Sequence, residues 1–247
     1  MRGMVTGVLL ALASLPAAAE TVRVAVASNF AEPLEAVAEA FEQETGHTVR
    51  ASTGSTGKHY AQIDHGSPFD LFLAADARRP RLLEEGGQAV AGSRFTYAVG
   101  RLALYSPDPA AFEEGRQALE EGAFDRLAIA NPELAPYGRA ARRTLKALGV
   151  WSTLEPRLVR GENIGQTHQY VVSGNADAGL VALSQVVAAE GSRWVVPTEL
   201  HDPVRQQAVL LERGADNPAA RTLLEFLRGP EAAAILEEYG YGTAQGS

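Results

Sequence analysis

The pattern of apolar and polar positions along the chain alternates between two periods. Continuous apolar runs at 22–27, 71–75 and 127–130 are typical of strands buried on both faces. Between such runs, apolar residues recur every three or four positions, as in 137–148, and predict helices that end at glycines such as Gly149. This alternation of strands and helices predicts an α/β fold with mostly parallel sheets flanked by helices.

Two long apolar segments predict a chain that passes between two domains. Segment 95–105 is predicted to be a strand that leaves the first domain near Gly100, and segment 206–211 is predicted to be a strand that returns to it. These two hinge crossings divide the chain into lobe I, residues 20–100 plus 207–247, and lobe II, residues 101–206. In α/β proteins of this kind, ligands bind beyond the carboxyl ends of strands and between domains.

The first nineteen residues, 1–19, are predicted to be an export signal and not part of the fold. Arg2 supplies a short positive region, 5–15 is apolar, and Ala17-Ala18-Ala19 fits the small-residue cleavage pattern. Cleavage is therefore expected near Ala19/Glu20. An uncleaved anchor is the alternative, although the apolar stretch is short for a membrane span.

Composition and charge exclude several functional classes. The chain has 247 residues and no cysteine, which excludes disulfides, a thiolate nucleophile and a lipid attached to a cysteine after the signal. Its formal net charge of −8 argues against a nucleic-acid-binding surface. Because this charge also repels anions at long range, any anion site must act through local dipoles.

Two polar stretches follow predicted strands and precede predicted helices. Ser28-Asn29 follows the first strand, and Ser-Thr-Gly-Ser-Thr-Gly at 52–57 follows the second. The first N–H groups of a helix lack helical partners and carry a partial positive charge. Small hydroxyl and amide side chains add donors there, and neither stretch contains a cation. These stretches, with the later loops 131–138 and 161–165, predict a site for a small oxyanion held by neutral donors.

Several of these residues also fit roles that involve no anion. Ser28 and Asn29 are favoured at helix N-caps. Segment 54–58 has the wrong spacing for a phosphate-binding P-loop. Asp76 is interpreted as a capping or turn residue, because no second carboxylate stands at a catalytic spacing. The histidines show no spacing typical of a metal site.

The four loops, in their order along the chain, resemble those of the periplasmic molybdate-binding proteins of ABC importers. The matching motifs are A-S-N-F, S-T-G-S-T-G-K-H-Y-A-Q-I, A-N-P-E-L-A-P-Y-G and N-I-G-Q, and the resemblance covers essentially the whole mature chain. It implies a two-lobe type II periplasmic binding protein fold that closes on the anion by a hinge. It also implies a monomeric, non-enzymatic periplasmic receptor that needs no cofactor and delivers molybdate or tungstate to an inner-membrane ABC permease.

The resemblance further implies which residues hold the anion. Ser28 is expected to donate its hydroxyl and backbone N–H, and Asn29 its side-chain amide. Thr56, where many family members have serine, is expected to donate its hydroxyl and N–H. Tyr137 and Ile164 are each expected to donate a backbone N–H from lobe II. Molybdenum is then present only within the oxyanion, with no protein ligand bound directly to the metal.

One position departs from part of that family, and two alternative functions stay open. Some members have a tyrosine near 179–183 whose hydroxyl reaches the anion, whereas this chain has Ala182 and matches the subtype without that contact. The first alternative is a receptor of the same fold for sulfate or thiosulfate. The second is an exported serine hydrolase with Ser55 as nucleophile, although the chain has no G-x-S-x-G elbow.

Overall fold

The computed structural model describes residues 19–242, so the predicted export signal lies outside the described residues except for Ala19. The strands are β1 (Thr21–Ala27), β2 (Thr48–Gly54), β3 (Leu71–Ala74), β4 (Phe95–Gly100), β5 (Leu102–Ser106), β6 (Leu127–Ala130), β7 (Leu158–Gly161), β8 (Ala178–Ala182), β9 (Ser192–Val195) and β10 (Val204–Leu210). The helices are α1 (Ala31–Thr45), α2 (Thr56–Asp64), α3 (Arg78–Glu85), α4 (Gly115–Glu121), α5 (Pro136–Ala147), α6 (Trp151–Leu154), α7 (Ile164–Val172), α8 (Pro218–Phe226) and α9 (Pro230–Glu238).

The strands form two five-stranded sheets, which confirms the α/β class. The first sheet has the order β2-β1-β3-β10-β4, and the second has the order β7-β6-β8-β5-β9. Among the described strands, four pairs are parallel and four are antiparallel, so the sheets are mixed where the sequence predicted mostly parallel ones.

The mixed pairing follows from how the chain moves between the sheets. In each sheet the parallel strands end at the side that faces the other sheet. Strand β5 follows β4 after the single residue Arg101, and β10 follows β9 after residues 196–203, which contain one 3₁₀ turn and no α-helix. Strands β5 and β10 therefore enter at that side and run antiparallel to the neighbours they join.

The observed crossings differ in detail from the predicted ones. Segment 95–105 is two strands, because β4 ends at Gly100 in the first sheet and β5 begins at Leu102 in the second. The returning strand begins at Val204, which already pairs with Gly100, so it starts before the predicted boundary at 207. The division of the whole chain into two lobes stays a prediction; lobe I and lobe II denote the residues around the first and second sheet.

Helices cover both faces of each sheet and complete the cores. In lobe I, α1 packs Leu34, Val37 and Phe41 against the first sheet, together with residues of α8. Gly46 ends α1 in the left-handed region, at φ 71°, and its N–H donates to the Glu42 carbonyl. No helix within residues 19–242 combines the length and the apolar character that a membrane crossing requires.

Replacing Phe41 with alanine is expected to lower the free energy of unfolding by about 3–5 kcal/mol. The ring is fully buried in the core of lobe I, so its loss leaves a cavity. Urea denaturation followed by circular dichroism measures the change. Val172→Ala is the control, because Val172 is 45% exposed and its replacement should lower the free energy of unfolding by well under 1 kcal/mol. Equal losses in the two variants would contradict the assigned core.

Candidate anion-binding site

A small cavity lies where the two sheets face each other. About 180 Å³ of space between its lining atoms is unfilled, and part of this space is open to solvent. The lining residues are Ala27, Ser28, Asn29, Gly54, Ser55, Thr56, Ala75, Ala135, Pro136, Tyr137 and Ile164. The cavity therefore suits a small ligand of a few atoms.

Lobe I contributes the ends of three neighbouring strands to this cavity. Strand β1 ends at Ala27, and the chain turns at once into the short 3₁₀ helix Ser28–Phe30 that leads to α1. Strand β2 ends at Gly54, and Ser55 then caps α2, with the Lys58 N–H donating to Ser55 Oγ at 3.3 Å. Ala75 follows β3. Adjacent parallel strands thus bring their carboxyl ends to one edge.

Lobe II contributes the beginnings of two helices. Helix α5 starts at Pro136 after an alanine that offers no side-chain cap, so the Tyr137 N–H lies in an uncapped first turn. Helix α7 starts at Ile164, and its cap residue Asn163 accepts from the Gln166 N–H at 2.9 Å. That cap leaves the earlier N–H of Ile164 without a helical partner.

The cavity is electrostatically favourable to an anion without holding a cation. Among the described residues that line it, none is charged. Helix starts from both lobes face it, and each carries a partial positive charge. Burial raises the pKa of the Tyr137 hydroxyl well above its usual value, so this side chain stays neutral. Nor do residues 19–242 contain a cluster of three or more residues able to bind a metal ion.

All five residues predicted to hold an anion line this one cavity, and all five are buried. Gly165 N–H donates to Ser28 Oγ at 3.1 Å, a bond that joins the two lobes and leaves the hydroxyl hydrogen for a ligand. Likewise, the Ala75 N–H donates to Thr56 Oγ1 at 3.0 Å. Their role as ligands stays a prediction, but their convergence from four loops is observed.

Asn29 differs from its expected arrangement. Its side-chain nitrogen was predicted to donate to the anion, yet both of its hydrogens are directed at other residues. It donates to Gln206 Oε1 at 2.8 Å and to the Tyr241 hydroxyl at 2.9 Å. These partners are 177 and 212 residues away in the sequence, so no local pattern could have revealed them.

Ser55 has the surroundings of a capping residue. Its Oγ accepts from the Lys58 N–H at 3.3 Å. The nearby His59 ring pairs through Nδ1 with Gln62 at 3.0 Å, and burial lowers the pKa of His59, which keeps the ring neutral. A serine nucleophile requires a hydrogen bond between its hydroxyl and a histidine ring, and within the described part of the chain Ser55 Oγ has none. The backbone N–H of His59 donates instead to the Ser55 carbonyl, at 3.0 Å.

Charged contacts close the lobes around the rim of the cavity. Asp76 pairs with Arg79 at 2.6 Å within lobe I and with Arg139 of lobe II at 2.7 Å. Asp76 also accepts from the Arg79 N–H, as expected of a capping residue. A second inter-lobe pair, Lys58 with Glu162 at 2.8 Å, is about half exposed on each side. The structure is therefore a closed form.

Two α/β lobes that close over a small uncharged cavity define the class of two-lobed, ligand-binding receptor. The chain belongs to the family of bacterial extracellular solute-binding proteins, whose model matches residues 22–242.

Individual relatives cover nearly all of the chain. It is 48% identical over 235 residues to the molybdate-binding protein of Azotobacter vinelandii, and the alignment covers 94% of this chain and 93% of that protein. It is also 48% identical over 231 residues to the molybdate-binding protein of Rhodobacter capsulatus, and that alignment covers 93% of this chain and 91% of that protein.

Solved structures agree with the fold. The periplasmic molybdate-binding protein of Azotobacter vinelandii superposes with a TM-score of 0.88 and 39% identity, covering 91% of this chain and 100% of that chain. A sulfate-binding protein of Mycobacterium tuberculosis superposes with a TM-score of 0.74 at 14% identity, covering 93% and 88%, which shows a common fold alone.

Replacing Asp76 with asparagine is expected to lower the free energy of unfolding by about 3–5 kcal/mol. The Asp76 and Arg79 side chains are 11% and 10% exposed, so the variant leaves a buried guanidinium without its counter-charge. Glu162→Gln removes the exposed inter-lobe pair and should cost at most about 1 kcal/mol. Urea denaturation compares the two, and a larger loss in the Glu162 variant would contradict this ranking.

Proposed function

We propose that this protein is a periplasmic receptor that binds molybdate or tungstate in the cavity between its lobes. The observation that carries the proposal is the convergence of Ser28, Asn29, Thr56, Tyr137 and Ile164 on one uncharged cavity at helix starts. Relatives named as molybdate-binding proteins at 48% identity support it over nearly the whole chain.

The chemistry of the donors favours these ligands over a protonated anion. Molybdate and tungstate are dianions without a proton at neutral pH, so a shell of donors satisfies all of their oxygens. Hydrogenphosphate carries a proton that needs an acceptor, and an unpaired buried polar group costs about 1–3 kcal/mol. No carboxylate lines the cavity among the described residues.

Sulfate or thiosulfate stays the main competing ligand, because sulfate also lacks a proton. Rejection of sulfate must then come from the size of the cavity and the directions of its donors. Ala182 is buried at the end of β8, where it offers no hydroxyl to the anion. The proposed donors are therefore those of the five residues named above.

The proposed biological role is delivery of the anion to an importer. The receptor would be exported with cleavage near Ala19/Glu20, act as a monomer without a cofactor, and pass the anion to an inner-membrane ABC permease when the lobes open. Its ligand would favour the closed form because only that form brings donors of both lobes together. A non-enzymatic role agrees with the capping function of Ser55.

A thermal-shift panel tests the ligand. At an anion concentration a hundred times the dissociation constant, binding adds about 2.7 kcal/mol to the free energy of unfolding. For a chain of this size, that raises Tm by about 5–11 °C. Such shifts are expected with molybdate and tungstate and not with phosphate. A shift with sulfate alone would replace the proposed ligand while keeping the site, and the absence of a shift with every anion would contradict the proposed function.

Ser28→Ala tests the site. The variant loses a buried hydroxyl donor and should bind molybdate about 5- to 150-fold more weakly, which corresponds to about 1–3 kcal/mol. Isothermal titration calorimetry measures the change. Ser173→Ala is the matched control, because Ser173 is exposed at the end of α7 and should leave the affinity unchanged. Unchanged affinity in the Ser28 variant would remove this residue from the site.

A further inference from the structure

A buried polar cluster surrounds the side chain of Asn29, and most of its members lie outside the lining of the cavity. It consists of Asn29, Tyr97, Gln206 and Tyr241, which are all buried in lobe I. Gln206 Oε1 accepts two hydrogen bonds, from Asn29 Nδ2 at 2.8 Å and from the Tyr97 hydroxyl at 3.2 Å. Asn29 Nδ2 also donates to the Tyr241 hydroxyl at 2.9 Å.

The pairing between β4 and β10 directs Gln206 into this cluster. Gln206 lies opposite Ala98 and Gln207 lies opposite Thr96, so the register skips Tyr97. Such an irregularity re-aims side chains and is frequent next to binding sites. Gln206 and Gln207 are both buried, because both faces of this sheet are covered, but only Gln206 belongs to the cluster.

The hydrogen bonds of this cluster leave opposite ends of two amides unsatisfied. Asn29 Oδ1 and Gln206 Nε2 are buried and have no hydrogen-bond partner among the described residues. Buried amide groups without partners are unfavourable. In this arrangement neither hydrogen of the Asn29 amide is free to be donated to an anion in the cavity that Asn29 lines.

We propose that in the anion-bound protein the amides of Asn29 and Gln206 are both turned by half a rotation from this orientation, and that Gln206 is the positioning residue that orients Asn29. An amide has nearly the same outline in both orientations, since rotation exchanges only nitrogen and oxygen. After the rotation, Gln206 Nε2 donates to Asn29 Oδ1 and to the Tyr97 oxygen. Asn29 Nδ2 is then free to donate to the anion.

The neighbouring hydroxyls can accommodate this rotation. Burial raises the pKa of Tyr241 to about 12, so its hydroxyl keeps its proton at neutral pH and can donate to Asn29 Oδ1. The Asn29 carbonyl, to which Tyr241 donates now, keeps a second donor in Ser184 Oγ at 2.9 Å. After the rotation, Gln206 Oε1 lies on the side of Tyr137. The buried Tyr137 hydroxyl has no partner within the described chain and can donate to this oxygen.

Gln206→Glu and Gln206→Met test the proposal, which rests on the proposed function. An ionised glutamate only accepts, so it holds the Asn29 nitrogen toward itself and turns the Asn29 oxygen to the anion. Calorimetry should find molybdate bound about 100-fold more weakly by this variant. The methionine variant carries no charge and cannot orient Asn29, so a loss of about tenfold is expected.

Gln207→Glu is the matched control for charge on the same strand. Gln207 accepts from Arg94 at 2.9 Å and donates to Thr96 at 3.1 Å, so both of its partners lie outside the cluster. The affinity of the Gln207→Glu variant for molybdate should therefore stay within about twofold of that of the unmodified protein. Melting curves without anion establish that each variant is folded. If Gln206→Glu does not fold, Gln206→Met carries the test.

A spectroscopic signature separates orientation from simple loss of structure. In the unmodified ¹⁵N-labelled protein, the side-chain amide resonances of Asn29, assigned by their absence in Asn29→Asp, should shift on addition of molybdate. In Gln206→Met at saturating molybdate, this shift should be smaller. Resonances that stay in place in the unmodified protein, or full affinity in Gln206→Met, would overturn the inference alone. Failure of the unmodified protein to bind molybdate would overturn the proposed function, and this inference with it.

Discussion

The first N–H groups of a helix cannot find partners within that helix, and the arrangement of the binding cavity depends on this constraint. Two helices of lobe II and two helical segments of lobe I begin at the cavity. The protein as a whole is negatively charged, so attraction of an anion has to come from these local dipoles. Without a ligand or water between the lobes, the same N–H groups would stay without hydrogen-bond acceptors.

The topology of the two sheets brings these helix starts together. Parallel strands end at the edge of their sheet that faces the other lobe, and each following helix begins there. The chain passes between the sheets twice, from β4 to β5 through Arg101 and from β9 to β10 through residues 196–203. Opening of the cleft would leave most of each core in place, because only Ala27, Ala75 and Val204 of lobe I pack within the core cluster of lobe II.

Local signals were sufficient to predict much of the fold and the members of the site. The apolar runs of β6 and β8 are visible in the sequence, and Ser28 and Thr56 are small polar residues directly after strands. The antiparallel entry of β5 and β10 could not be predicted, since it depends on which sheet a strand joins. Edge strand β9, with half-exposed positions, lacks a strong apolar pattern and was not predicted.

Contacts between distant residues were also beyond the sequence. Asp76 and Arg139 pair across the lobes, and nothing in the spacing of either residue indicates the other. The same holds for Asn29 and Gln206, which are brought together by the return of β10. Hydrophobic periodicity describes which face of an element is buried, whereas these polar pairs depend on the register between elements.

Recognition by neutral donors imposes a requirement that recognition by cations does not. A guanidinium or ammonium group attracts any anion, whatever the arrangement of that anion's protons. A neutral amide has a donor end and an acceptor end, so its orientation decides whether it attracts or repels. Backbone N–H groups are oriented by their helices, and hydroxyls rotate freely to suit the ligand. Of the predicted ligands, Asn29 alone has a side-chain amide, which can bind in either of two orientations. The hydrogen bonds of the buried polar cluster select one of these orientations.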